Sequence, residues 1–84
     1  MNKKLEVFYE NQFEMFLKQG WKDFIEDTTN LLNTMTIETV NNESELFFRK
    51  GQKDCLNWVL QRQGLISDSY EQLLNEEAED EENV

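Results

Sequence analysis

Histidine and proline are absent from this chain of 84 residues, and cysteine occurs once, as Cys55. One cysteine forms no intrachain disulfide, and without histidine the common zinc ligand sets are missing. Histidine is also the usual base of a nucleophilic triad, so that chemistry is excluded in its ordinary form. A single free thiol fits a reducing compartment. No apolar run exceeds three residues, so neither a signal peptide nor a membrane span is expected. EF-hand, phosphate-loop and dinucleotide motifs are missing as well, and no cofactor or metal is expected.

Basic residues are scarce too. Eight Lys and Arg face eighteen Asp and Glu, for a net charge of −10. That balance disfavours nucleic acid and anionic membranes as direct ligands. It suits basic partners, or a protein that mimics nucleic acid. The excess is concentrated at residues 76–84, which hold six acids and no base, leaving a body of net charge −4. The sequence predicts one helical domain over 1–75 and an acidic disordered tail over 76–84. A domain this short builds only a modest core, so self-association or a partner is expected to supplement it.

What the chain has is helical spacing. Leu17, Trp21, Phe24, Thr28, Leu31 and Met35 step by fours and threes along one face, and Ile25 and Leu32 widen it. Leu5, Phe8 or Tyr9, and Phe13 follow similar steps upstream. Gly20 either separates a short first helix from a second or lies inside one continuous helix; its cost against alanine, about 1 kcal/mol, allows both. Residues 36–44 read as a connector, with Asn42 or Ser44 as cap of the next helix. That helix runs over about 43–62, with Phe48, Cys55 and Val59 on its apolar side beside Phe47, Leu56 and Leu60. Gly64 reads as its stop. A last short helix carries Tyr70, Leu73 and Leu74. The expected fold is all-α: an antiparallel helical hairpin with short flanking helices.

The candidate functional residues lie on these helices. Cys55 on an apolar face reads as a small hydrophobe. Asp23, Glu26 and Asp27 lie close enough to hold a divalent ion, but the simpler reading is a solvated acidic face. Arg49, Lys50, Lys53 and Arg62 are half of all positive charges. With Phe47, Phe48 and Trp58 nearby they resemble a nucleic-acid surface. Helical spacing pairs Glu45 with Arg49 and Lys50 with Asp54, which favours docking on an acidic protein surface instead. Gly51 in an apolar stripe points to close approach of a second helix, so Gly51→Leu is expected to overfill the contact. Phe13, Phe16, Trp21, Phe24, Phe48, Gly51 and Trp58 are the expected interface residues; the aromatic load of Phe8, Tyr9, Phe13, Phe16 and Trp21 reads either as core or as more apolar surface than one small copy buries.

Two segments carry a family resemblance. The first is F-x-x-x-G-W-K-D-F-I-E-D, with Phe16, Gly20, Trp21, Lys22, Asp23, Phe24, Ile25, Glu26 and Asp27. The second is E-L-F-F-R-K-G-Q, from Glu45 to Gln52, followed by Leu56, Trp58, Tyr70, Glu71 and Leu73. Their order resembles that of small helical-hairpin proteins of T7-like tailed bacteriophages, over about residues 16–74. The resemblance implies a phage origin, a helical hairpin, and a place in the host cytoplasm or the virion. It implies a role in the particle or in host takeover, through a phage structural protein, a host protein or another copy of the chain. It carries no catalytic residues, and a non-enzymatic protein is expected.

Overall fold

Asn2 opens the first helix. Its Oδ1 accepts a hydrogen bond from the Leu5 N–H at 2.8 Å, which satisfies one of the donors a helix start leaves open. In the computed structural model, which describes residues 1–82 and their side chains through residue 80, three helices follow. They are α1 (Lys3–Leu17), α2 (Gln19–Thr34) and α3 (Glu43–Glu82). The described residues contain no strand. None of their helices is long and apolar enough to cross a membrane.

The break between α1 and α2 falls at Lys18, not at Gly20. Lys18 takes an extended conformation (φ −75°, ψ 144°) while its N–H closes onto the Met15 carbonyl at 3.0 Å. Gly20 sits inside α2 with an ordinary helical sign of φ. Asn42 caps α3: its Oδ1 accepts from the Glu45 N–H at 2.8 Å, and Glu45 Oε2 accepts from the Asn41 N–H at 3.0 Å. This is close to a capping box, reaching back one residue further. It also redirects Glu45, the expected partner of Arg49, toward the backbone.

Two expectations about the C-terminal half are corrected. Gly64 does not stop the helix, and the short last helix is part of α3. The acidic run continues as helix through Glu82, where disorder was expected; residues 83 and 84 lie outside the described residues. The reason is cooperativity. Extending an existing helix fixes one residue per hydrogen bond gained, whereas a new helix must nucleate. Glutamate and Ala78 are good helix formers, so propagation past Gly64 carries on.

The chain forms two compact units, one of residues 1–18 with 62–84 and one of residues 19–61. In the first, α1 packs against the C-terminal half of α3. Tyr9, Phe16 and Ile66 are its buried apolar side chains. The Tyr9 hydroxyl hydrogen-bonds Ser69 Oγ at 2.6 Å, and its ring lies 5.1 Å from Tyr70. Phe13 meets the same Tyr70 ring edge-on at 5.2 Å. Near the start of α1, the Met1 amine pairs with Glu77. Contacts that advance along α1 as they retreat along α3 make this pair antiparallel.

In the second unit, the buried position of α2 is Thr28, at 6% exposure. Its Oγ1 donates to the Phe24 carbonyl at 2.7 Å, so the hydroxyl is satisfied within its own helix. Trp21, Ile25, Leu32 and Met35 are half-buried, while Phe24 and Leu31 are exposed. The buried face of α2 is thus centred on Thr28, with Ile25 and Leu32 rather than Phe24 and Leu31 beside it. Leu17, the first member of the expected stripe, is 76% exposed.

Gly51 faces open space. A Cβ built there meets nothing within 4 Å, so the expected close approach of a second helix within the chain is absent. Gly51→Ala is therefore expected to stabilise the protein by about 1 kcal/mol through helix propensity alone. Urea unfolding measures this. A loss of stability would show that the site is packed.

Candidate functional site

The first half of α3 has two apolar faces, and the larger side chains lie on the outer one. Leu46, Leu56, Val59 and Leu60 are half-buried, together with Arg49, Gln52, Lys53 and Asn57. Phe47, Phe48 and Trp58 are 61%, 68% and 58% exposed. Gly51 and Cys55 are exposed between them. At 3.6 residues per turn, these five positions fall within an arc of about 100°. The expected packing face of Phe48, Gly51 and Cys55 is therefore the outward face. Arg49 and Lys53 take places on the inward one, where long aliphatic stems can cover apolar surface.

This reversal has a physical cause. A helix with apolar residues on both sides gives a periodicity that fits either face. The expected stripe followed the aromatics, which are the most hydrophobic in volume. The buried side instead combines smaller aliphatic residues with charged stems. Arg49 shows the strain of that choice. Its Nε is buried and has no hydrogen-bond partner among the described residues.

The expected interface residues divide between the units. Phe13 and Phe16 belong to the first, where Phe16 is buried at 4% exposure and Phe13 is half-buried in the ring cluster with Tyr9 and Tyr70. They pack as core there. Trp21, Phe24, Phe48, Gly51 and Trp58 belong to the second. Trp21 and Phe24 lie 6.0 Å apart with rings tilted by 46°, and Phe24 is 49% exposed. Phe47, expected on the core side, joins the outward arc.

The basic residues divide as well. Arg62 falls in the first unit; Arg49, Lys50 and Lys53 fall in the second. Lys50 and Lys53 line a groove of about 300 Å³ with Ile37, Asp54 and Asn57. Asp54 on the groove wall tempers its positive charge. Asp23, Glu26 and Asp27 do not converge: no group of three or more Cys, Asp or Glu side chains that could hold a metal ion occurs among the described residues.

A second groove, unforeseen in the sequence, lies in the first unit. It encloses about 340 Å³ and is lined by Glu6, Tyr9, Glu10, Phe13 and Tyr70. The local signal was present: Glu6, Glu10 and Phe13 step by four and three along α1, beside Tyr9. What the sequence could not supply was Tyr70, which comes from 57 residues beyond Phe13. No protein-family model matches the chain, and no curated protein or solved structure matches it either.

Proposed function

We propose that this is a non-enzymatic bacteriophage protein that acts through protein–protein contacts, as a small virion or assembly component. The observation that carries the reading is the outward arc of α3. Phe47, Phe48 and Trp58 are each more than half exposed within twelve residues of one helix. Holding three large aromatics in water is unfavourable, and aromatic residues concentrate in the buried centres of interfaces. Phage origin rests on the resemblance of residues 16–74, which also implies that α2 and the first half of α3 pair as an antiparallel hairpin. The partner is a phage structural protein or a second copy of the chain. Mass spectrometry of purified particles, with light scattering on the isolated protein, tests the proposal. The protein is expected in the particle or as an oligomer; absence from particles together with a plain monomer would overturn it.

One observation favours a second reading, an inhibitor that binds a host protein by imitating nucleic acid. Mimicry needs carboxylates held on a folded surface, and α3 continues as helix through the acidic run to Glu82. A host-lysate pull-down would then recover a nucleic-acid enzyme. Replacing Glu76, Glu79 and Asp80 by their amides would weaken that capture, and indifference to the replacement would exclude mimicry.

A further inference from the structure

We infer that the groove of the first unit is a binding site for an arginine side chain presented by a basic partner protein. Three of its five lining residues are aromatic: the buried Tyr9, and the half-buried Phe13 and Tyr70, whose rings are the ones a ligand reaches. Tyr9 and Phe13 lie in near-parallel orientation, 25° between planes at 6.2 Å. Tyr70 closes on both, at 5.1 Å from Tyr9 and 5.2 Å from Phe13. The rim carries two exposed carboxylates, Glu6 and Glu10, one helical turn apart on α1. No basic side chain is among the groove's lining residues.

Each wall selects the same ligand class. An aromatic face attracts a cation through its quadrupole. A carboxylate beside that face adds charge-assisted hydrogen bonds, and two of them held four residues apart repel each other until a cation lies between. A guanidinium satisfies both walls at once, because it is planar enough to stack and forked enough to bond a carboxylate through two N–H groups. An ammonium uses the charge but not the plane. The protein's net charge of −10 favours approach of a basic partner over any distance the salt leaves unscreened. The Tyr9 hydroxyl is already engaged by Ser69 at 2.6 Å, which fixes the ring edge, and the two carboxylates are the charged groups of the groove. This site is separate from the arc of α3 and does not depend on it: one contact is apolar, the other cationic.

Titration of the full chain with N-acetyl-arginine methylamide, followed by NMR of the aromatic rings, tests the inference. The citrulline analogue has nearly the same shape without the charge. The arginine probe is expected to shift the ring resonances of Tyr9, Phe13 and Tyr70 with millimolar affinity, about 10-fold tighter than the citrulline probe. Glu6→Gln with Glu10→Gln is expected to remove most of that difference. Glu26→Gln with Asp27→Asn, which changes net charge equally, is expected to leave it within about 2-fold. Because all four residues are exposed, these variants should retain the fold, and circular dichroism checks it. Phe13→Leu keeps an apolar side chain and is expected to weaken the arginine probe more than the citrulline probe. Ring resonances unmoved at about 50 mM probe, equal response to both probes, or equal loss in both double variants would overturn the inference.

Discussion

Tyr9→Ala is expected to destabilise the first unit by about 3–5 kcal/mol, the range for removing a large buried aromatic. Tyr9 is 4% exposed and is one of the unit's buried side chains, with Phe16 and Ile66. Its ring touches Phe8, Phe13 and Tyr70 at centroid distances of 5.2, 6.2 and 5.1 Å. Removing it breaks these three ring contacts and leaves Phe13 with Tyr70 and Phe16. A domain of this size has only a few kcal/mol of net stability, so the loss is expected to unfold the unit. Tyr9→Phe separates the ring from the hydroxyl. It removes only the bond to Ser69 and is expected to cost about 1 kcal/mol. Urea unfolding with amide protection read over residues 3–17 distinguishes the two. A cost below about 1 kcal/mol for the alanine variant would mean that the ring cluster does not hold α1 in place.

Phe48→Gln with Trp58→Gln is expected to act in the opposite way, abolishing binding with little effect on folding. Both side chains are exposed, at 68% and 58%, and glutamine is a good helix former. Stability is expected to change by no more than about 1 kcal/mol. Aromatic anchors at the centre of an interface commonly contribute about 2 kcal/mol or more each, so losing two should weaken the contact at least about 100-fold. Light scattering detects this if the partner is a second copy, and co-purification with the particle detects it if the partner is a phage structural protein. A large fall in melting temperature would identify the arc as core. Undiminished association would place the contact elsewhere.

These two residue sets show where sequence reasoning succeeds and where it stops. Helix type was legible from spacing, and the cap of α3 was narrowed to Asn42 or Ser44, of which Asn42 makes the bond. The spacing left open whether the helix breaks near residue 20; the break is made by Lys18, which leaves helical ψ. The phase of α3 was not. Its first half carries apolar residues on both sides, and which side is covered depends on what α2 and the connector offer. Phe48 and Cys55 are at positions as periodic as Leu56 and Leu60, so spacing alone cannot rank them. Long-range partners were not legible either. Tyr9 and Tyr70 are 61 residues apart, and nothing local to Tyr9 marks Ser69 as its hydrogen-bond partner.

The length of α3 has a related explanation. Gly64 and the acidic run each argue against helix, one through backbone entropy and the other through like charges near the negative end of the helix dipole. Both are local terms of about 1 kcal/mol or less per site. Between them, Ile66 and Tyr70 pack on α1, and that tertiary contact outweighs them. The same persistence of helix gives the mimicry reading its only structural support.

The central claim is that the outward aromatic arc of α3, and not the acidic run, joins this protein to its partner. Copy number in purified phage particles tests it most directly, measured by quantitative mass spectrometry for the wild-type chain, Phe48→Gln/Trp58→Gln, and Glu76→Gln/Glu79→Gln/Asp80→Asn. The prediction is a particle that contains the wild-type chain and the acid-neutralised variant but lacks the aromatic variant, with all three equally abundant and folded in the infected cell. Equal incorporation of the aromatic variant, or exclusion of the acid-neutralised one alone, would contradict it.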